Sequence, residues 1–316
     1  MGEKQKVIVI IGPTAVGKTK TSVELAKRLN GEIISGDSMQ IYKTMDIGTA
    51  KVKKEEMQGI PHFLIDIKEP QEAYSVAEFQ QDVRNKIDEI TSRGRIPIIV
   101  GGTGLYIQSV LYDYQFSESG KDEEIRLRLE KKSQEIGVEK LHQELNEIDP
   151  KSAANIHPNN VRRVIRALEI FYTTGKTMSE YQDTQQPEPL YDIALIGLTM
   201  ERERLYERIN LRVDLMMEEG LLREVQTLYN NEIRDCQSIQ AIGYKELYAY
   251  FDGKVTLEQA VNDLKQNSRR YAKRQLTWFR NKMDVTWFDM TDGDFEQKLS
   301  QIFTVIAGKL RLEANK

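Results

Sequence analysis

A glycine-rich segment near the start of the chain has the residue types that bind a phosphate. Residues 12–19 read GPTAVGKT and fit the pattern G-x-x-x-x-G-K-[ST]. In such a loop backbone N–H groups point at an anion, and the next helix adds the positive end of its dipole. The pattern assigns Lys18 to the outer phosphates and the Thr19 hydroxyl to Mg²⁺, so we expect a diphosphate or a triphosphate ligand. The predicted binding residues are Gly12, Pro13, Thr14, Ala15, Val16, Gly17, Lys18 and Thr19.

Two further segments offer polar side chains that could act on the same ligand. Asp37 follows a strand-like run, where a carboxylate can bind Mg²⁺ through water or accept a proton. An Asp-Ser pair is equally typical of a helix N-cap. Thr103 lies in GGTGLY, where three glycines in four residues allow a close approach of the backbone to a ligand. The same glycines also fit a tight turn between a strand and a helix.

Clustered basic residues suggest a polyanionic partner. Arg162 and Arg166 are four residues apart on one helix face, with Arg163 beside them. The segment Lys265–Lys282 carries seven cations and no acid, with aromatic residues interleaved. This mixture suits the phosphates and unstacked bases of RNA. The alternative is a solvated helix whose aromatic side chains pack inward.

A third set of arginines could supply a phosphate ligand from another helix. Arg204, Arg208 and Arg212 recur every four residues, with acidic residues among them. Most of them could form pairs within the helix. One could turn inward to a phosphate, because the guanidinium geometry matches phosphate oxygens.

The elements around these residues predict an α/β fold with a parallel sheet. Strand-like runs alternate with helical stretches, notably Thr19–Leu29 and Val76–Ser92. Ligands of such sheets bind at the carboxyl ends of the strands. The segments after the first, second and fourth strands should therefore converge. The predicted strands are Val7–Ile11, Glu32–Ser35, Phe63–Ile67, Ile96–Val100 and a run within YDIALIGLTM.

Residues 117–190 differ from the rest because strand patterns disappear and three successive stretches have helical periodicity. We therefore predict a P-loop NTPase-like α/β core made of residues 1–116 and 191–316. An inserted all-α domain would occupy residues 117–190.

The composition restricts the class of protein. The chain has 316 residues, 30% of them charged, and no apolar run near the roughly 18 residues of a membrane span. One cysteine and no signal-peptide pattern predict a cytoplasmic protein. The three histidines lack metal-ligand spacing, and the net charge of -4 means that nucleic acid would bind only to local basic patches.

Seven ordered segments along nearly the whole chain resemble one family, the bacterial tRNA dimethylallyltransferases. The segments are GPTAVGKT, ISGDSMQIYKTMDIGTAK, IPIIVGGTGLYI, IHPNNVRRVIRALEI, LRVDLMMEEGLLREV, SIQAIGYKEL and RRYAKRQLTWFR. The resemblance implies transfer of the dimethylallyl group from dimethylallyl diphosphate to N6 of adenosine 37 in tRNA. The loop at residues 12–19 would then hold the diphosphate of the donor, with Mg²⁺ on Thr19.

The resemblance also implies roles for individual residues. Asp37 would be the general base at N6, and Thr103 would contact the flipped base and the diphosphate region. Lys18 and Arg212 would stabilise the departing diphosphate. The chain would act as a monomer on the anticodon stem-loop, which the insert would clamp. The implied tRNA contacts are Asp37, Ser38, Met39, Gln40, Thr103, Arg126, Val161, Arg162, Arg163, Val164, Ile165, Arg270 and Arg274.

Three alternatives share the phosphate-binding loop. A small-molecule kinase would bind ATP but has no clear use for the basic segments at 161–166 and 265–282. A prenyltransferase acting on free adenine nucleotides would need Asp37 but not the insert. A non-catalytic, GTPase-like RNA-binding switch is the third alternative and ranks last. Whether ATP also binds the loop stays open.

Overall fold

The computed structural model describes residues 4–112, 114, 122–183 and 188–312. The chain forms two compact units, one of Met1–Leu111 with Pro189–Lys316 and one of Tyr112–Glu188. The second unit is thus an insertion in the first. At its base the Leu190 N–H donates a hydrogen bond to the Leu111 carbonyl at 2.9 Å, so the two chain segments of the first unit meet there.

The first unit is built on a parallel sheet. Among the described residues this sheet has six strands in the order β3-β2-β4-β1-β5-β6. The central strand β1 pairs with β4 through Ile8 and Ile98, and with β5 through Ile8 and Ala194. The strands are β1 Lys6–Ile11, β2 Gly31–Gly36, β3 His62–Phe63, β4 Ile96–Gly101, β5 Asp192–Thr199 and β6 Thr286–Asp289.

Helices cover this sheet and also form the insertion. The first unit contains α1 Lys18–Leu29, α2 Lys54–Met57, α3 Val76–Ser92, α4 Gly104–Leu111, α10 Arg202–Glu219, α11 Leu221–Asn230, α12 Tyr244–Phe251, α13 Leu257–Lys282 and α14 Phe295–Leu310. The insertion contains α5 Glu123–Ile136, α6 Val138–Ile148, α7 Pro150–Asn155, α8 Val161–Thr174 and α9 Met178–Asp183. No helix in the described ranges is both long and apolar enough to cross a membrane.

Buried aliphatic side chains hold the phosphate-loop strand and helix in place. The strand residues Ile8 and Ile10 pack with Leu25 of α1 and Ile306 of α14, and all four are fully buried. Full burial of one such side chain stabilises the fold by about 1.5–3 kcal/mol. The strand before the loop and the helix after it are therefore fixed parts of the core.

Two strands differ from the prediction. The predicted strand Phe63–Ile67 is wrong beyond its first residue, because Leu64 and Asp66 adopt positive φ angles of 60° and 56° and end the ladder. The edge strand β6, Thr286–Asp289, was not predicted. Its first three residues are half-buried and Asp289 is exposed, so it lacks the alternation that identifies a strand.

The insertion is entirely helical in its described part and has its own core. Leu141 and Leu145 of α6 and Leu168 of α8 are completely buried there. The Asp149 carboxylate accepts hydrogen bonds from the N–H groups of Ser152 at the start of α7 and of Ser179 in α9, both at 3.0 Å. The insertion therefore has its own hydrophobic core and helix ends that a side chain caps.

Candidate active site

The loop between β1 and α1 is shaped to receive an anion. Gly12 has a φ angle of 154°, and a Cβ there would lie 2.6 Å from the Leu198 carbonyl oxygen, so only glycine fits. Gly17 precedes α1 at a φ angle of 105°. No side chain caps this end of α1, and its first turn contains no acidic residue. Its N–H groups and positive dipole end are therefore available to a negatively charged ligand.

Lys18 turns back over this loop. Its Nζ donates to the carbonyl oxygens of Gly12 at 2.9 Å and of Pro13 at 2.8 Å. Burial lowers the pKa of Lys18 to about 8; the charge of Asp37 opposes this shift and that of Arg212 adds to it. Lys18, Asp37 and Arg212, which come from three separate segments, are therefore close enough to interact electrostatically.

Asp37 follows directly after β2 and does not cap a helix. Its Oδ1 accepts a hydrogen bond from the Met39 N–H at 2.8 Å, and the next helix begins only at Lys54. Burial raises the pKa of Asp37, although the Met39 hydrogen bond and the charge of Lys18 oppose the shift. A carboxylate with a raised pKa is a better proton acceptor than an ordinary aspartate.

Arg212 is the arginine of α10 that turns inward. Arg204 and Arg208 are exposed, whereas Arg212 is half-buried and forms no salt bridge with any described residue. Burial lowers the pKa of Arg212, and the charges of Glu56 and Glu219 oppose that effect. An unpaired, partly desolvated guanidinium fits a ligand that brings its own negative charge.

The glycines after β4 make room for protein groups. A Cβ at Gly101 would lie 2.2 Å from the Gly36 carbonyl oxygen, and one at Gly102 would lie 2.0 Å from Gln275 Nε2. A Cβ at Gly104 would lie 2.2 Å from the Trp278 ring. These contacts fit the alternative of a tight turn between a strand and a helix, while the close approach of a ligand stays a prediction. The glycines let β2 and α13 approach the loop that carries Thr103.

Thr103 has unused hydrogen-bonding capacity in the described structure. Its Oγ1 is buried without a well-formed hydrogen bond to any described residue, although the Tyr271 hydroxyl is close enough to interact with it. Burial raises the pKa of Tyr271 to about 12, and the charge of Asp37 adds to this shift. Since buried hydroxyls are rarely left unpaired, Thr103 is a candidate ligand contact.

Residues 38–50, which follow Asp37, are held in place by the side chains of Gln40 and Glu224. Gln40 Nε2 donates to the carbonyl oxygens of Thr49 and Ala50, each at 3.3 Å. The Glu224 carboxylate of α11 accepts hydrogen bonds from the N–H groups of residues 46–48 at 2.8–3.0 Å. Ser38 and Met39 lie within this restrained segment and are half-buried. The Glu224 anchor was not predicted, because a glutamate on an amphipathic helix resembles a solvated residue.

One face of α13 presents cations to solvent. Arg270 and Arg274 are exposed and form no salt bridge within the described residues, and Arg274 lies 5.7 Å from the centre of the Tyr271 ring. Phe279 is completely buried on the opposite side. Phe279 therefore packs inward, as the alternative predicted, while RNA binding by the exposed arginines stays a prediction.

The predicted tRNA contacts on α8 fall into an exposed set and a buried set. Arg162 and Arg163 are exposed at the start of α8, where Val161 is half-buried. Val164 and Ile165 are only 1% and 4% exposed and belong to the core of the insertion, so their side chains cannot meet an RNA. Only the first turn of α8 is placed to do so.

Two other arginines of the insertion form salt bridges within it. Arg126 pairs with Glu130 at 3.1 Å. Arg166 pairs with the buried Glu169 at 3.0 Å, which gives it a structural role in α8.

Comparison with known proteins identifies the family. Residues 40–282 match the family model described as IPP transferase. A tRNA dimethylallyltransferase of Bacillus cereus strain Q1 is 68% identical over 317 residues, covering 100% of this chain and 99% of that protein. The corresponding protein of Bacillus anthracis strain CDC 684 is also 68% identical, with the same coverage.

Solved structures agree with this result. The tRNA isopentenylpyrophosphate transferase of Bacillus halodurans is 60% identical, with a TM-score of 0.75 and coverage of 98% of this chain and 97% of that one. A eukaryotic dimethylallyltransferase acting on tRNA is 34% identical, with a TM-score of 0.79 and coverage of 94% and 77%. The fold and these relatives define a transferase. The chain belongs to the IPP transferase family, as the seven sequence segments predicted.

Proposed function

We propose that this chain transfers the dimethylallyl group from dimethylallyl diphosphate to N6 of adenosine 37 in tRNA. The observation that carries the proposal is the joint placement of Lys18, Arg212 and Asp37. Two cations and one carboxylate with a raised pKa interact beside the uncapped N-terminus of α1. This combination suits a reaction that expels a diphosphate and removes one proton. The names of the relatives support tRNA as the acceptor and the dimethylallyl group as what is transferred.

The diphosphate would bind at the β1–α1 loop of a P-loop NTPase-like core. Backbone N–H groups of this loop would donate to its oxygens, and Lys18 would exchange its carbonyl partners for them. Arg212 has no competing salt bridge among the described residues and would add a second cation. These contacts strengthen as charge develops on the leaving group, so they favour the transition state.

Asp37 would accept the proton of the acceptor amine. The N6 nitrogen bonds to the first carbon of the dimethylallyl group, and the bond from that carbon to the diphosphate oxygen breaks. The electron pair of that broken bond leaves with diphosphate, while an N6 proton passes to the Asp37 carboxylate. Because an aromatic amine is a weak nucleophile, removing this proton as the new bond forms lowers the barrier.

The Thr19 hydroxyl is the one protein ligand proposed for a Mg²⁺ shared with the diphosphate. Among the described residues no group of three or more His, Cys, Asp or Glu could hold a metal alone. Thr19 is exposed in the first turn of α1, next to the loop that would bind the diphosphate. Mg²⁺ commonly takes one or two protein ligands and completes its shell with phosphate oxygens and water. When bound there, it would neutralise charge on the diphosphate.

The acceptor would be held by basic surfaces on each unit. On the first unit these are Arg270 and Arg274 of α13, and on the insertion they are Arg162 and Arg163 of α8. Arg126, the remaining proposed contact of the insertion, would have to exchange its salt bridge with Glu130 for a phosphate. Exposed, unpaired arginines suit contacts to an RNA backbone. Adenosine 37 would leave the stack of the anticodon loop to reach Asp37 and Thr103. We propose that the chain does this as a monomer.

A transfer assay tests the proposal against its alternatives. Purified protein with Mg²⁺ and radiolabelled dimethylallyl diphosphate is mixed with unmodified tRNA, an anticodon stem-loop or AMP. We expect label in both RNAs and none in AMP. Label in AMP alone would favour a prenyltransferase for free nucleotides. No label, together with ATP turnover by the same preparation, would favour a kinase.

A further inference from the structure

Gln275 joins two loops of the site through one side chain. It lies on the inner face of α13, where it is 6% exposed. Its Oε1 accepts a hydrogen bond from the Thr14 N–H at 3.2 Å, and its Nε2 donates to the Gly102 carbonyl at 3.1 Å. An amide bound at both ends has a fixed orientation. One helix therefore sets the spacing between the loop after β1 and the loop after β4.

The loop and α13 lie in close contact at this point. A Cβ at Gly102 would lie 2.0 Å from Gln275 Nε2, and a Cβ at Gly104 would lie 2.2 Å from the Trp278 ring. On the helix side, Ala272 and Phe279 are completely buried and hold α13 in place. The packing of α13 therefore holds Gln275 in contact with the loop.

We propose that Gln275 is a positioning residue for the diphosphate of the donor substrate. This inference rests on the proposed function, since it assumes that the β1–α1 loop binds that diphosphate. Gln275 holds the Thr14 N–H, so the loop presents the N–H groups of residues 15–19 to the anion. It also holds the Gly102 carbonyl, so that this negative dipole end cannot turn toward the diphosphate.

Loss of the two hydrogen bonds should weaken donor binding without removing a contact to the donor. In a site that is already arranged, a ligand need not order the loops when it binds. Without Gln275 the diphosphate would have to order both loops itself. The effect should appear in the KM for the donor and in diphosphate affinity, with the acceptor surface unchanged.

The test compares Gln275→Met with Gln266→Met, the same replacement on the exposed face of the same helix. Methionine keeps the length of the side chain but cannot bridge the loops. We expect Gln275→Met to weaken binding of inorganic diphosphate, measured by calorimetry without tRNA, by about tenfold. The KM for dimethylallyl diphosphate should rise equally, while tRNA affinity and all values for Gln266→Met stay unchanged.

A second variant displaces the amide from the other side of the contact. Gly102→Ala leaves Gln275 in the sequence but places a methyl group where Nε2 lies, so it should weaken diphosphate binding in the same way. Thermal unfolding identifies any variant that fails to fold. A lower unfolding temperature with unchanged diphosphate affinity and KM would show a purely structural role and overturn the inference. If the unaltered protein binds no diphosphate, the proposed function itself fails.

Discussion

The Nζ of Lys18 donates a hydrogen bond to the Pro13 carbonyl oxygen at 2.8 Å. The ammonium group thus binds the loop that precedes it, although its partial burial is costly. The pKa of about 8 expresses this cost, because the fold stabilises the neutral form relative to an exposed lysine at 10.5. The two carbonyl oxygens stabilise the Lys18 ammonium only in part, because they carry partial charges. A diphosphate at the loop would supply full negative charge.

The first prediction follows from this pKa. Above a pH of about 8 the Lys18 side chain of the free protein loses its proton, so the KM for dimethylallyl diphosphate should rise. Fold stability should increase over the same pH range, although donor binding weakens. Between pH 8 and 10.5 the unfolded chain holds the Lys18 proton and the folded chain does not, so Lys18 makes folding more favourable as pH rises.

Lys18→Met provides the control for both trends. The variant should bind the donor weakly at every pH, and its stability should lack the contribution that grows above pH 8. Kinetics and denaturant unfolding of both proteins at several pH values measure the two differences. An identical rise of KM with pH in the variant would assign the titration to another group.

The second prediction concerns Asp37. Replacement by asparagine removes the proton acceptor and keeps the hydrogen bond from Met39, so kcat should fall by about 10²–10⁴-fold. tRNA affinity should change little. Because burial raises the pKa of Asp37, activity of the unaltered protein should fall on acidification at a higher pH than an ordinary aspartate would give.

Asp292→Asn is the matched control for Asp37, since it removes one exposed carboxylate from a surface turn. It should leave kcat unchanged. Single-turnover transfer with saturating tRNA separates the chemical step from binding. Loss of tRNA binding with a normal chemical step in Asp37→Asn would rule out the base role.

The third prediction tests the exposed face of α13. Arg270→Ala combined with Arg274→Ala removes two cations that form no salt bridge with described residues. tRNA affinity should fall, and the slope of log K against log salt should decrease by about 1–2. Filter binding of tRNA at several salt concentrations measures this slope.

The control for α13 removes two exposed cations elsewhere in the same unit, Lys254 and Lys309. Because net charge changes equally, it separates a local contact from a general electrostatic effect. Equal slopes for the two double variants would exclude α13 from the RNA surface.

The fourth prediction separates structural from binding arginines in the insertion. Arg166→Ala removes the partner of Glu169, whose Oε1 already has no hydrogen bond to a described residue and which is 1% exposed. Leaving this carboxylate unpaired should destabilise the protein by about 1–3 kcal/mol. Arg162→Ala, at an exposed position on the same helix, should instead weaken tRNA binding with little loss of stability. Denaturant unfolding and filter binding of both variants provide the comparison.

Local signals predicted the elements whose physical causes lie close together in sequence. Helix α3 occupies Val76–Ser92 as predicted, since Ser75 and Glu78 form a reciprocal capping box and Phe79 and Val83 share a buried face. The phosphate-binding loop likewise contains its glycines, its lysine and its helix within one short segment. Such features need no knowledge of distant contacts.

The parts that sequence could not predict depend on contacts across the fold. Gln275 and Glu224 both act on backbone groups of segments more than 170 positions away in the chain. On a helix rich in polar residues, neither side chain differs from a solvated neighbour. Periodicity alone left three arginines of α10 as candidates to turn inward. The family resemblance pointed to Arg212, and the packing of α10 half-buries it while Arg204 and Arg208 stay exposed.

The hydrogen bond between Leu190 and Leu111 has an evolutionary consequence. It closes the base of the insertion, so a short turn could replace residues 112–189 without stretching the chain. The insertion and the first unit could then have been gained, lost or exchanged separately.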